Sequence, residues 1–172
     1  PVVSSAASDV YKRQDSSSPN LVLQQINKKL IQPLRKIYQN YIFNFVSPKD
    51  LDNKTTYILF PLHYEPEVQL LSYSAPNSDQ LDVIKKISIS LPIGCKLLVK
   101  EHPLMIGRRK SNFLNEIIQL GNTLIVDPSH NVNKYLKYTN LVVTLGSSVS
   151  IDALMKNIPV ITIGSTLANI FD

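Results

Sequence analysis

Five short apolar runs of four to six residues, rich in β-branched side chains, recur along the chain: residues 56–61 (TYILFP), 96–99 (KLLV), 123–126 (TLIV), 141–144 (LVVT) and 159–163 (PVITI). Runs this short and this continuously apolar suit strands buried on both faces, the condition of a parallel sheet covered by helices on each side. The stretches between them carry helical spacing. Leu81, Ile84, Ile87 and Leu91 fall on one face of a helix that Ser78 or Asp79 can cap and that Pro92-Ile93-Gly94 ends. Further helices are predicted over residues 112–120, stopped by Gly121, over 132–138, and over 148–156. Strand and helix alternating in this way, joined by right-handed crossovers, predict an α/β fold: a Rossmann-like doubly wound parallel sheet over residues 51–172.

The residues before that domain have a different character. Residues 1–14 (PVVSSAASDVYKRQ) resemble a translated sequencing-adapter scar and lack the charged-then-apolar order of a secretory signal. Residues 15–50 read as a polar tail and helical linker. Within it, Leu23, Ile26, Leu30, Leu34, Ile37 and Tyr41 share one helical face, Pro33 interrupts the run, and a polar stretch over 47–54 carries Pro48. The chain has no initiating methionine and stops just after a strand-like run, so we expect a piece of a longer protein, truncated at its C-terminus.

Composition narrows the class. With 44% hydrophobic and 18% charged residues the chain has the make-up of a globular protein, and no apolar run reaches the roughly 18 residues that would span a bilayer. Its single cysteine, Cys95, excludes an internal disulfide, suits a reducing cytoplasm, and precedes a strand as a small buried apolar residue would. Part of the net charge of +5 sits in Lys28, Lys29, Arg35 and Lys36, and part in Arg108-Arg109-Lys110. Such charge favours anionic partners: nucleotide phosphates, acidic glycans, or an anionic inner-membrane surface met peripherally. For the first cluster a solvated helix face is the preferred reading. Nothing interleaves basic residues with aromatics as a nucleic-acid surface requires, and no nucleic-acid partner is expected.

In an open parallel sheet, ligands bind beyond the carboxyl ends of the strands. Three loops leave strand ends there: Pro61-Leu62-His63-Tyr64-Glu65-Pro66-Glu67, Lys100-Glu101-His102-Pro103, and Gly146-Ser147-Ser148. In the last, glycine permits a sharp turn and the serines open a helix whose first amides suit a phosphate. Asp152, about one turn further on, can reach a ribose hydroxyl. The same residues also fit a plain serine N-cap without a ligand. They form neither a Walker A loop nor GxGxxG. His102, biased to extended geometry by Pro103, can donate to a phosphate oxygen or assist departure of a nucleotide, and we group Lys100 with it as a donor-binding residue. His63, Glu65 and Glu67 are candidates for a general base or an acceptor-hydroxyl contact, or simply a polar loop. His63, His102 and His130 lack ligand spacing and there is no DxD pair, so no metal site or cofactor is expected.

The sequence from Tyr57 to Glu67 resembles the corresponding strand and loop of capsule polysaccharide biosynthesis proteins, a family that includes Kdo transferases. Asp79-Gln80, Leu91-Pro92, Leu98-Val99-Lys100-Glu101-His102-Pro103, Val143-Thr144, Ser147-Ser148, Asp152-Ala153-Leu154, Pro159-Val160 and Gly164 continue the pattern in order. The resemblance implies a bacterial glycosyltransferase of GT-B type, of which this chain supplies the C-terminal, donor-binding part, with the acceptor held mainly by an N-terminal half. It further implies that His102 and Ser147-Ser148 hold the donor phosphate, as in related CMP-sugar transferases. The implied donor is then a CMP-linked acidic sugar such as Kdo, and the acceptor a glycan or glycolipid. Asp152 stands where many members carry glutamate. Metal-independent, cytoplasmic transfer follows from the same resemblance. Two other functions share this architecture: a nucleotide-sugar 2-epimerase and a non-catalytic partner in polysaccharide assembly or export. Without its other half, the chain is expected to be inactive alone.

Overall fold

A computed structural model of the chain describes residues 29–30, 33–34, 37, 43–65, 79–109 and 111–163. Five strands, β1 (Thr56–Pro61), β2 (Cys95–Lys100), β3 (Thr123–Val126), β4 (Thr139–Thr144) and β5 (Val160–Thr162), form one sheet in the order β3-β2-β1-β4-β5. Every pairing is parallel. Among the described residues, four helices occupy the crossovers: α1 (Gln80–Ser90), α2 (Ser111–Ile118), α3 (Val132–Leu136) and α4 (Val149–Leu154). The doubly wound Rossmann-like α/β fold expected from the alternation is the fold found.

Side chains alternate across the sheet and build a core on each face. Ile58, Phe60, Leu97, Val99 and Val143 pack under Val83 and Ile84 of α1 and Leu114 and Ile117 of α2. Tyr57, Leu59, Leu98 and Val142 face the other way, against Tyr135 and Leu136 of α3 and Ala153 of α4. Each fully buried Leu, Ile or Phe of this kind contributes about 1.5–3 kcal/mol over leaving it exposed. β1 lies between β2 and β4, which explains why its run from Tyr57 to Pro61 is buried throughout.

The local punctuation works as its chemistry requires. Of the two candidate caps, Asp79 is the one used: its Oδ1 accepts from the amides of Leu81 at 3.0 Å and Asp82 at 3.4 Å, and the helix stops at Leu91 before Pro92. Gly121, at φ +74°, turns the chain from α2 into β3. Cys95 sits half-buried against the core.

The stretch before β1 is more closely built in than a polar linker would be. Phe43 is buried in the α1–α2 core, and Val46 bridges in parallel to Val126, extending the sheet beyond β3. Ser47 and Asp50 form a reciprocal capping box around a single 3-10 turn, and Leu51 is buried on the opposite face. Of the helical stripe ahead of it, Leu30, Leu34 and Ile37 are exposed, whereas Leu23, Ile26 and Tyr41 lie outside the described residues. Among the described residues, no helix is long and apolar enough to cross a membrane.

Candidate functional site

The strand order reverses between β1 and β4, because the chain winds outward through β2 and β3 and then returns to the far side of β1. Loops at such a reversal diverge and leave a crevice at the carboxyl edge of the sheet. A cleft of about 250 Å³ lies there, lined by Pro61 and Leu62 after β1, Lys100 to Pro103 after β2, His130 to Val132 after β3, and Ser147 to Val149 after β4. All three loops singled out from the sequence reach this cleft, and the β3–α3 loop joins them.

His102 lies half-buried on the cleft wall, its backbone extended as its proline neighbour dictates. Its Nδ1 accepts from the Leu104 amide at 3.2 Å, capping the turn Pro103–Met105, and its own amide donates to Glu101 Oε1 at 2.7 Å. With Nδ1 an acceptor, the neutral ring carries its proton on Nε2 and is a donor there. The Tyr64 ring meets it edge-on at 5.9 Å between centroids. Lys100 is buried, with Nζ donating to the carbonyls of Pro128 at 3.0 Å and Glu101 at 3.3 Å. Burial pushes its pKa down, against the opposing pull of Glu101 and Asp127. A lysine so fixed has little freedom to lose when an anion arrives.

At the β4–α4 turn the buried hydroxyl of Thr144 accepts from the amides of Gly146 at 3.2 Å and Ser147 at 2.9 Å. Gly146 takes φ +116°, a conformation that disfavours a side chain. Ser147 Oγ accepts from the Val149 amide at 3.3 Å, so it performs the capping, while the exposed Ser148 makes no side-chain cap. The plain N-cap interpretation therefore fits Ser147 and leaves the Ser148 hydroxyl without a capping role. Asp152 is half-buried in the first turn of α4 and is not among the cleft-lining residues.

The cluster after β1 divides. His63 is buried and lies beside the cleft lining rather than in it. Glu65 is held in an ion pair, 2.8 Å from Arg109 Nη1, and accepts from the Gln80 side chain at 2.5 Å. Glu67 lies outside the described residues.

Arg109, in sequence one member of a basic triplet, is the hub of this edge. Its side chain is 2% exposed; Nε meets Glu101 Oε2 at 2.6 Å, Nη2 donates to the His63 carbonyl at 2.7 Å, and the guanidinium stacks 4.6 Å from the Phe113 ring centroid. Gln80, equally buried, accepts from the His63 amide at 2.6 Å. Burial pushes the Glu101 carboxyl above its ordinary range, and the charge and hydrogen bond of Arg109, with the His102 amide, pull it back. Two loops and the start of α1 are thereby fastened together behind His102. Sequence reasoning missed Arg109, Gln80 and Glu101, and also His130 and Asn131. Only the placement of Glu101 at a strand end hinted at a buried partner for its carboxylate. Among the described residues, no three His, Cys, Asp or Glu side chains cluster as metal ligands would.

The family profile described as capsule polysaccharide biosynthesis protein matches residues 10–171. The chain belongs to this family. The match begins inside the adapter-like stretch and runs through all five strands of the sheet. No curated protein matches the chain. Among solved structures it is similar to two from Thermosulfurimonas dismutans. One, KpsC, beta Kdo 2,7 transferase, is 18% identical with a TM-score of 0.54, over 87% of this chain and 44% of that one. The other, KpsC, beta Kdo 2,4 transferase, is 18% identical with a TM-score of 0.55, over 87% and 46%. At this identity the likeness concerns the fold, and the family member described here spans less than half the length of either structure.

Proposed function

We propose that this domain holds the nucleotide-sugar donor of a glycosyltransferase that builds capsular or surface polysaccharide, as the donor half of a GT-B-type enzyme. The observation that carries the reading is the cleft at the strand-order reversal, where Lys100, His102, Ser147 and Ser148 converge on one small volume. These are the groups a phosphate asks for: a fixed ammonium, an imidazole N–H and two hydroxyls beside backbone amides. Membership of a capsule biosynthesis family and a fold shared with two Kdo transferases support a CMP-linked acidic sugar such as Kdo.

In transfer, the bond between the anomeric carbon and the donor phosphate oxygen breaks, and an acceptor oxygen bonds to that carbon. The leaving nucleotide gathers negative charge, which Lys100 and the Nε2–H of His102 stabilise more in the transition state than in the ground state. We read the transfer as metal-independent, with these donors of the chain holding the phosphate. Glu65 and His63 fit a supporting role better than a basic one, since Arg109 and Gln80 already engage that loop. Glu67, outside the described residues, remains the proposed candidate for the base that activates the glycan or glycolipid acceptor. Because nucleotide sugars are cytoplasmic metabolites, the domain would work on that side of the inner membrane.

Calorimetric titration of the folded chain with CMP, UDP, GDP and ADP tests the reading. CMP should bind selectively, and His102→Ala should weaken it about tenfold, the loss of one charge-assisted hydrogen bond. A preference for UDP would favour the epimerase reading; absence of binding to any of the four would favour the non-catalytic partner.

A further inference from the structure

We propose that His130 is a specificity-determining residue of the cleft, presenting the lone pair of Nε2 to an N–H or O–H donor on the bound nucleoside; this rests on the nucleotide-binding reading above. The argument starts from the hydrogen bonds of the β3–α3 loop. Ser129 Oγ lies 2.6 Å from Asp127 Oδ1, and the Ser129 amide donates to the same oxygen at 2.8 Å. A hydroxyl has one hydrogen, and beside a carboxylate at this distance it is given to the carboxylate. His130 Nδ1 lies 3.2 Å from that Ser129 oxygen and 3.3 Å from Asp127 Oδ2. It therefore faces a spent hydroxyl's lone pair on one side and an anionic acceptor on the other. Both require a proton on Nδ1, so Nε2 of the neutral ring is an acceptor.

His102 is set the opposite way, its Nδ1 accepting from the Leu104 amide. One cleft thus contains two histidines of opposite tautomer, and the difference sorts their ligands. A phosphate offers only acceptors, which suits Lys100 and His102 and does not suit the Nε2 of His130. Ribose hydroxyls and the amino group of a base offer donors. Partial burial acts to raise Asp127, but the hydrogen bonds of Ser129 and the presence of His130 outweigh it, and its carboxyl is held below its ordinary range. It stays ionised at working pH and is the positioning residue of the pair. Asp127 of its own loop and Tyr135 of α3, edge-on at 6.4 Å, flank the ring, and Lys100 and His102 line the same cleft.

The test is a titration of the full chain with CMP. His130→Ala should weaken CMP about tenfold. Comparison with 2′-deoxy-CMP and UMP then places the partner on the ribose or on the base amino group. Nitrogen-15 NMR should report the Nδ1–H tautomer for His130. Asp127→Asn, which keeps an oxygen for the Ser129 amide, should mix the tautomers and lower affinity without unfolding the chain. Equal CMP affinity of wild type and His130→Ala would overturn the assignment and leave the nucleotide reading standing. So would an Nε2–H tautomer. Failure of the folded wild type to bind CMP would overturn both.

Discussion

A single side chain decides how firmly the cleft's edge is held. Arg109 satisfies Glu101, Glu65 and the His63 carbonyl at once, and its guanidinium and the Glu101 carboxylate are both buried. Removing one member of a buried pair leaves the other charge without compensation. Arg109→Ala should therefore lower stability by about 3–5 kcal/mol in urea unfolding, far more than Arg108→Ala next to it, whose side chain is exposed. Equal effects of the two substitutions would mean that the pairing around Arg109 carries no net stability. At this scale the sequence was least legible. Arg108, Arg109 and Lys110 are indistinguishable as letters, and what separates Arg109 is burial against Phe113 and a carboxylate eight residues back. His102 was legible because a proline follows it at a strand end, a local fact. His130 was not, because its significance depends on Asp127 and Ser129 fixing its tautomer within a loop.

At the scale of elements, most of the fold could be read directly. The β1 and β3 runs match their strands residue for residue, because a strand buried on both faces leaves its apolar run unbroken. The β4 strand starts two residues before its apolar run, at Thr139, since Asn140 at an exposed position carries no hydrophobic signal. The β4–α4 turn shows what pattern reading leaves out. Its shape depends on Thr144, which reads as a β-branched strand residue but whose hydroxyl takes two amides of the turn. Thr144→Val conserves shape and β propensity while stripping that acceptor from a fully buried site. The expected result is a loss of about 1–3 kcal/mol in stability, since both amides lose their partner. CMP affinity should fall several-fold with it, because Ser147 and Ser148 lose their fixed position. Unchanged affinity in a stable Thr144→Val protein would separate the turn from the binding site.

For the molecule as a whole, the question is where the sheet domain begins. The sequence places its start near Leu51, because the polar stretch around Pro48 looks like a linker. The packing places side chains of the preceding segment inside the domain. Phe43 lies at 6% exposure in the core between α1 and α2, and the Val46 amide and carbonyl both bond to the β3 edge, at 2.9 Å to Ile125 and 3.0 Å from Asp127. Tyr135, at the centre of the opposite core, donates its hydroxyl to the Val46 carbonyl at 3.0 Å. This short segment therefore protects the edge of β3 and ties both faces of the sheet together, which no local pattern of polar residues would reveal. Two N-terminal deletions isolate its contribution. A chain beginning at residue 43 keeps the Phe43 packing, the bridge and the capping box, and one beginning at residue 51 loses all three. Removing a buried phenylalanine alone costs about 3–5 kcal/mol, so the shorter chain should be less stable by at least that in urea unfolding. The loss of the Tyr135 and β3 partners should also speed amide exchange along Thr123–Val126 while leaving β1 protected, because β1 keeps a strand on either side. If the two chains unfold at the same urea concentration, the segment merely rests on the sheet, and the domain begins where the sequence alone places it.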